Sequence, residues 1–279
     1  MNCWLRNLIT LRVCLTFTAF VGTIGLNAAI GVATNLPLPS QSQPKDIREI
    51  FLTLPAPDNV DDLFGDLIRD TASRKGLLDR ADFSNGNSIL DIPNGYLKIA
   101  VLKRGSGSAA DRRGAIVVTS FSKRNRDRLV VLQFSNFTDY PDTVVDDHFY
   151  SLSAAGYKHE EAGSILPRLS FLGDFWGEQP QPDKAAKDFV ASSGDAAFYT
   201  IEWPRNGTVA RAVSRIPYSD TDSKEMARTQ RALAKRQYQS IELAWDRDRG
   251  AFTKGARLAA DESPQPRGRK RRLGRQLGK

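Results

Sequence analysis

The sequence predicts a mainly β fold, α+β at its margin: an antiparallel, hairpin-rich sheet or meander with an amphipathic helix on its N-terminal side. Three observations predict it. From residue 89 onward apolar and polar residues alternate, the period of a half-buried strand. Short polar segments rich in Gly, Asn and Asp interrupt the alternation at hairpin spacing. Ahead of these, residues 60–75 carry an apolar stripe of helical period.

That stripe is Val60, Leu63, Phe64, Leu67 and Ile68, at i, i+3, i+4, i+7 and i+8. Asp58 or Asn59 supplies a cap, Asp61 and Asp62 sit in the first turn, Arg74 and Lys75 close the last, and Gly76 marks the stop. A stripe of this kind is read as a face packed on a sheet, because left open it would drive aggregation. Residues 96–102, 115–121, 129–134 and 148–152 read as strands, the second and third joined by the polar loop 123–127. Residues 198–203 and 208–213 flank Pro204-Arg205-Asn206-Gly207, and Asn-Gly between strands signals a hairpin because both residues tolerate positive φ. Residues 240–245 and 251–254 flank a second hairpin at 246–250. Tyr199, Ile201 and Trp203 share one face, as do Ile241, Leu243 and Trp245, so both rows are expected in the core. A short helix is expected at 185–190 within a polar loop, and a surface helix, read as an insertion, at 220–237.

The N-terminal segment predicts export. Arg6 and Arg12 form a basic flank, residues 13–33 carry no charge, and Gly31-Val32-Ala33 offers small residues for cleavage after Ala33. Residues 1–33 are therefore expected to be a signal peptide. An uncleaved anchor is the alternative, since about 20 uncharged residues span a bilayer. Residues 34–47, with Pro37, Pro39 and Pro44, are expected to be a linker, residues 48–258 one exported globular domain, and residues 259–279 a disordered basic tail. The location expected is periplasmic or secreted, or held at the inner membrane if the signal stays attached.

Charge and cysteine narrow the function classes. The net charge is +8, but residues 263–279 hold seven basic residues and no acid, so the body is close to neutral. A nucleic-acid domain carries its basic surface on the fold itself, so nucleic acid is not the expected partner of the body. Arg267, Arg269, Lys270, Arg271, Arg272 and Arg275 of the tail are the candidates for contact with an anionic partner, an anionic membrane surface above all. Cys3 and Cys14 both lie in the export segment, which leaves a processed chain no disulfide, thiolate zinc site or thiol nucleophile.

Motifs for chemistry are sparse, and no catalytic residue or cofactor is expected. His148 and His159 are the two histidines, in Asp146-Asp147-His148 and His159-Glu160-Glu161, and they are the metal-ligand candidates. They lack the i, i+4 spacing of a zinc-binding helix. No Gly-x-Ser-x-Gly elbow or phosphate-binding glycine loop occurs. Asp82-Phe83-Ser84-Asn85-Gly86 and Asp91-Ile92-Pro93-Asn94-Gly95 read as turns, since neither alternates calcium ligands.

Several phrases carry a resemblance: Leu90-Asp91-Ile92-Pro93-Asn94-Gly95-Tyr96, His148-Phe149-Tyr150, Ile165-Leu166-Pro167-Arg168-Leu169-Ser170, Pro204-Arg205-Asn206-Gly207-Thr208, and Leu243-Ala244-Trp245 through Gly250-Ala251-Phe252. In order and spacing, residues 89–254 resemble a group of uncharacterised, β-rich secreted bacterial proteins. The resemblance implies an envelope location and a hairpin-rich fold, and implies no activity. The leading expectation is a non-enzymatic module that binds an unknown envelope component. The alternatives are a hydrolase acting on envelope polymer through carboxylates, and contact with anionic membrane or nucleic acid through the tail.

Overall fold

Among the described residues ten strands make two antiparallel sheets, each in simple meander order. In the computed structural model the described residues are 46–58, 60–61, 63–103, 111–137, 144–217 and 224–259. The expected export segment and nearly all of the expected linker and basic tail lie outside them. The first sheet contains β1 (Ile89–Asp91), β2 (Tyr96–Lys103), β3 (Arg112–Ser122), β4 (Arg128–Phe137), β5 (Val144–Ser153) and β6 (Gly156–Glu160). The second contains β7 (Tyr199–Glu202), β8 (Val209–Ser214), β9 (Tyr238–Asp246) and β10 (Ala251–Ala259). The mainly β, hairpin-rich expectation holds, and most strands run longer than the alternation indicated.

The first sheet is buried on both faces at its centre, which explains the nearly continuous apolar runs in β3 and β4. Ile116, Val118, Val130, Leu132 and Phe134 point to one side and pack under α1 (Ile47–Thr53), α2 (Gly65–Ile68) and α3 (Thr71–Arg80). Val117, Phe121, Leu129 and Val131 point to the other and meet the second sheet. There Phe121 lies 5.5 Å from Trp245 and 5.1 Å from Phe252, centroid to centroid. Trp203 and Trp245 are both buried in this core, as their rows predicted. α5 (Lys184–Ser193) and α6 (Lys224–Leu233) close it, and α6 inserts a fully buried Leu233.

The helical layer differs from the expected single helix over 60–75. The stripe is buried at Leu63, Phe64 and Ile68, but α2 is one turn long and α3 begins afresh. Asp70 is the cause: its backbone is extended and its carboxylate accepts from the Ser73 amide at 2.7 Å, capping a new helix in which Gly76 is an interior residue. Asp46 acts likewise on α1, accepting from the Arg48 and Glu49 amides. The last two residues of the expected linker, Asp46 and Ile47, are thus this cap and the first residue of α1. Arg74 ties α1 to α3: its buried guanidinium donates to the carbonyls of Phe51, Leu52, Leu54 and Ile68. At the 204–207 turn only Gly207 takes positive φ, at +85°, not both residues of the Asn-Gly pair. No helix among the described residues is long and apolar enough to cross a membrane.

Candidate functional site

Strand period decides the histidine motif. In β5, Asp146 and His148 face the helical layer while Asp147 faces the second sheet, so the three side chains are divided between two environments. His148 Nε2 lies 3.1 Å from Asp146 Oδ2, and its ring sits edge-on to Phe134. His159, in β6, lies opposite Tyr150 and packs edge-on to it. Among the described residues no three of His, Cys, Asp and Glu converge as a metal cage would. The tail candidates, Arg267 to Arg275, lie outside the described residues.

Asp147 is the side chain that the period sends to the sheet–sheet boundary. Its Oδ1 accepts from Gln133 Nε2 and from Trp203 Nε1, both at 2.9 Å. Gln133, directly opposite in β4, spends its other amide hydrogen on the Ile201 carbonyl of β7 at 2.8 Å. One carboxylate and one amide thus bolt the two sheets together. Burial pushes the Asp147 carboxyl up to about 6, against the opposing pull of the Trp203 and Gln133 donors, and the negative charge of Asp146 adds to the rise.

Two other enclosed carboxylates are neutralised where they stand. Asp174, 5% exposed, meets Lys254 Nζ at 2.7 Å and Arg257 at 3.5 Å, and accepts from the Ser170 amide. Asp91 meets Arg205 Nε at 2.7 Å, and that guanidinium holds the Asp91 carboxyl below the usual carboxylate range. These pairs tie distant segments together: the π-helical turn Phe171–Phe175 to β10, and β1 to the turn after β7. Asp91 and Asp174 have separate cation partners.

A concavity of about 380 Å³ opens elsewhere on the first sheet, over β2 and β3. Its lining comes wholly from these two strands and the Gly86–Asn87 turn. Lys98, Ala100 and Leu102 share a strand face, and Val117, Ala115 and Arg113 lie opposite them in that order. The floor is the cross-strand pair Ala100–Ala115, with a cation at either end, Lys98 and Arg113. Leu102 is 54% exposed there. No carboxylate stands in the lining, and among the described residues neither Lys98 nor Arg113 forms an ion pair. The volume lies within the range of small-ligand pockets, about 300–1,000 Å³.

Sequence reasoning passed over both sites. The signal for Gln133 was present as a lone amide inside Val-Val-Leu-Gln-Phe, a polar residue where every neighbour is core. Lys98 and Arg113 carried no such signal, because a lysine or arginine at a strand's polar position ordinarily faces water.

Comparison with protein-family models found no match, and comparison with curated proteins found none. Among solved structures, the chain is similar to a domain of an uncharacterized protein from Porphyromonas gingivalis W83, at 11% identity and a TM-score of 0.48, covering 76% of this chain and 98% of that one.

Proposed function

We propose that this chain is an exported bacterial envelope protein that binds another, anionic envelope component without transforming it. The observation that carries the reading is the groove over β2 and β3, where Lys98 and Arg113 flank an apolar floor with no acid among the described residues paired to them. Cations placed this way attract and orient an anionic ligand. The export segment supports the location. Replacing both cations by Lys98→Glu and Arg113→Glu reverses the groove's charge at positions that carry no ion pair among the described residues. The double variant is expected to lose at least tenfold in co-sedimentation with envelope fragments of the source cells while its thermal midpoint stays within about 2 °C, since surface changes outside the core cost little. Undiminished co-sedimentation would sink the reading.

One observation favours a hydrolase instead: Asp147 holds its proton close to neutrality, as a general acid must. Its Oδ1 is committed to Gln133 and Trp203, which favours the structural role. The hydrolase reading requires that Asp147→Asn abolish release of fragments from envelope polymer by the purified chain.

A further inference from the structure

We infer that the groove over β2 and β3 takes an elongated dianion, a molecule with an acidic group at each end of a neutral, largely apolar body. The inference rests on the binding reading above and names its ligand class.

The spacing of the two cations sets the ligand's shape. Lys98 and Leu102 are four residues apart on one face of β2, and Arg113 stands directly opposite Leu102. Four residues of strand separate the Cα atoms of the two cationic positions by about 14 Å. Side chains on a strand stand roughly perpendicular to the sheet, so a ligand lying flat along the trough meets one head at each end, and a single carboxylate or phosphate reaches both only if the two long side chains fold inward over the floor. A monoanion with an apolar tail would use one cation and leave its tail against the other, desolvating a charge without a partner, which is unfavourable. A ligand charged at both ends satisfies both.

The floor sets the chemistry of the middle. Ala100 and Ala115 are cross-strand partners, and two methyl groups side by side leave a shallow trough where larger residues would fill it. Leu102 also lines it, exposed far beyond what a core leucine shows. An aliphatic or flat neutral body covers that surface and gains about 25 cal/mol for each Å² of apolar area it removes from water. Asn87 and the Gly86 backbone border the groove and supply polar contact at its rim.

The test uses the full chain and three probes of one length: decanedioate, decanoate and 1,10-decanediol. Binding is measured by titration calorimetry at low salt, with the affected residues located by amide chemical-shift changes. Decanedioate is expected to bind at least tenfold more tightly than decanoate, with the diol inert and the shifts centred on residues 98–102 and 113–115. Lys98→Met and Arg113→Met should each bring decanedioate down to the level of decanoate. Equal affinity for the mono- and dianion, no decanedioate binding, or binding that survives both substitutions each overturns the inference. Loss of the inference and loss of the binding reading are separable. If the charge-reversed groove loses envelope binding while decanedioate fails, the binding site stands with a ligand of another class. If envelope binding ignores the charge reversal, the binding reading itself falls.

Discussion

A half-buried carboxylate that faces the second sheet makes stability depend on pH in an unusual direction. Asp147 is protonated more readily in the folded chain than in the unfolded one, because burial disfavours its charge. The stabilising contribution is therefore fully present below the unfolded value near 3.8 and is lost as pH rises through about 6. A rise of that size corresponds to about 3 kcal/mol at most. Asp147→Asn removes the titration and keeps an oxygen where Gln133 and Trp203 donate, since both bond the same Oδ1. Thermal melts should show the variant more stable by roughly 5–10 °C at pH 8 and little changed at pH 4. A variant that melts lower at pH 8 would mean that the ionised form strengthens the bolt between the sheets. Asp174 is a contrasting case, a carboxylate enclosed with Lys254 and Arg257. Removing its charge with Asp174→Asn leaves two cations facing an amide, and should cost about 3 kcal/mol in chemical denaturation.

At the scale of elements, the helical layer is held on the first sheet by features that differ in how visible they are in sequence. Leu63, Phe64 and Ile68 announced themselves by spacing. The division of that segment into α2 and α3 did not, because a helical stripe survives a break when the pieces stay on one surface. The extended backbone of Asp70 is a local choice between continuing a helix and capping a new one, and periodicity is blind to it. Gly114 is likewise illegible. The alternation suggested a strand from residue 115, yet β3 begins at Arg112, and Phe64 and Leu63 rest directly on Gly114. A Cβ there would stand 2.7 Å from the Phe64 ring and 2.6 Å from the Ser135 carbonyl. Gly114→Ala should therefore cost about 1–3 kcal/mol by overpacking, measured by denaturant unfolding, and a neutral result would show that the helical layer shifts freely. The hairpins were the most legible elements, since their loops needed residues that the strands could not use. Arg74 was legible only as a last-turn charge. Arg74→Met leaves the carbonyls of Phe51, Leu54 and Ile68 without their donor, at about 2–4 kcal/mol. Hydrogen exchange should then show α1 opening well before the sheets, and uniform loss of protection would contradict its role as a local tie.

For the whole molecule, two groups of cations, the groove pair and the basic tail, are proposed to act on different partners. The groove holds two cations on a rigid sheet, while residues 263–279 hold seven basic residues and no acid in a segment with no apolar pattern. A rigid pair with fixed spacing selects a ligand by shape. A dense basic run instead adds attraction to any anionic surface, at about 1 kcal/mol per residue close to it, and that attraction decays with a screening length of about 10 Å at 0.1 M salt. The two contributions therefore separate by salt and by surface. For a chain beginning at Thr34, deleting residues 263–279 is proposed to weaken partition onto phosphatidylglycerol vesicles at least a hundredfold at 0.1 M salt, with the difference shrinking several-fold by 0.5 M. Phosphatidylcholine vesicles should bind neither form. The Lys98→Glu, Arg113→Glu chain should bind phosphatidylglycerol as the parent does, because its tail is intact, while losing its hold on envelope fragments. If the deletion leaves vesicle partition unchanged, the tail has no membrane role. If the groove variant loses vesicle binding as well, the membrane is itself the groove's partner and the two charge sites form a single surface.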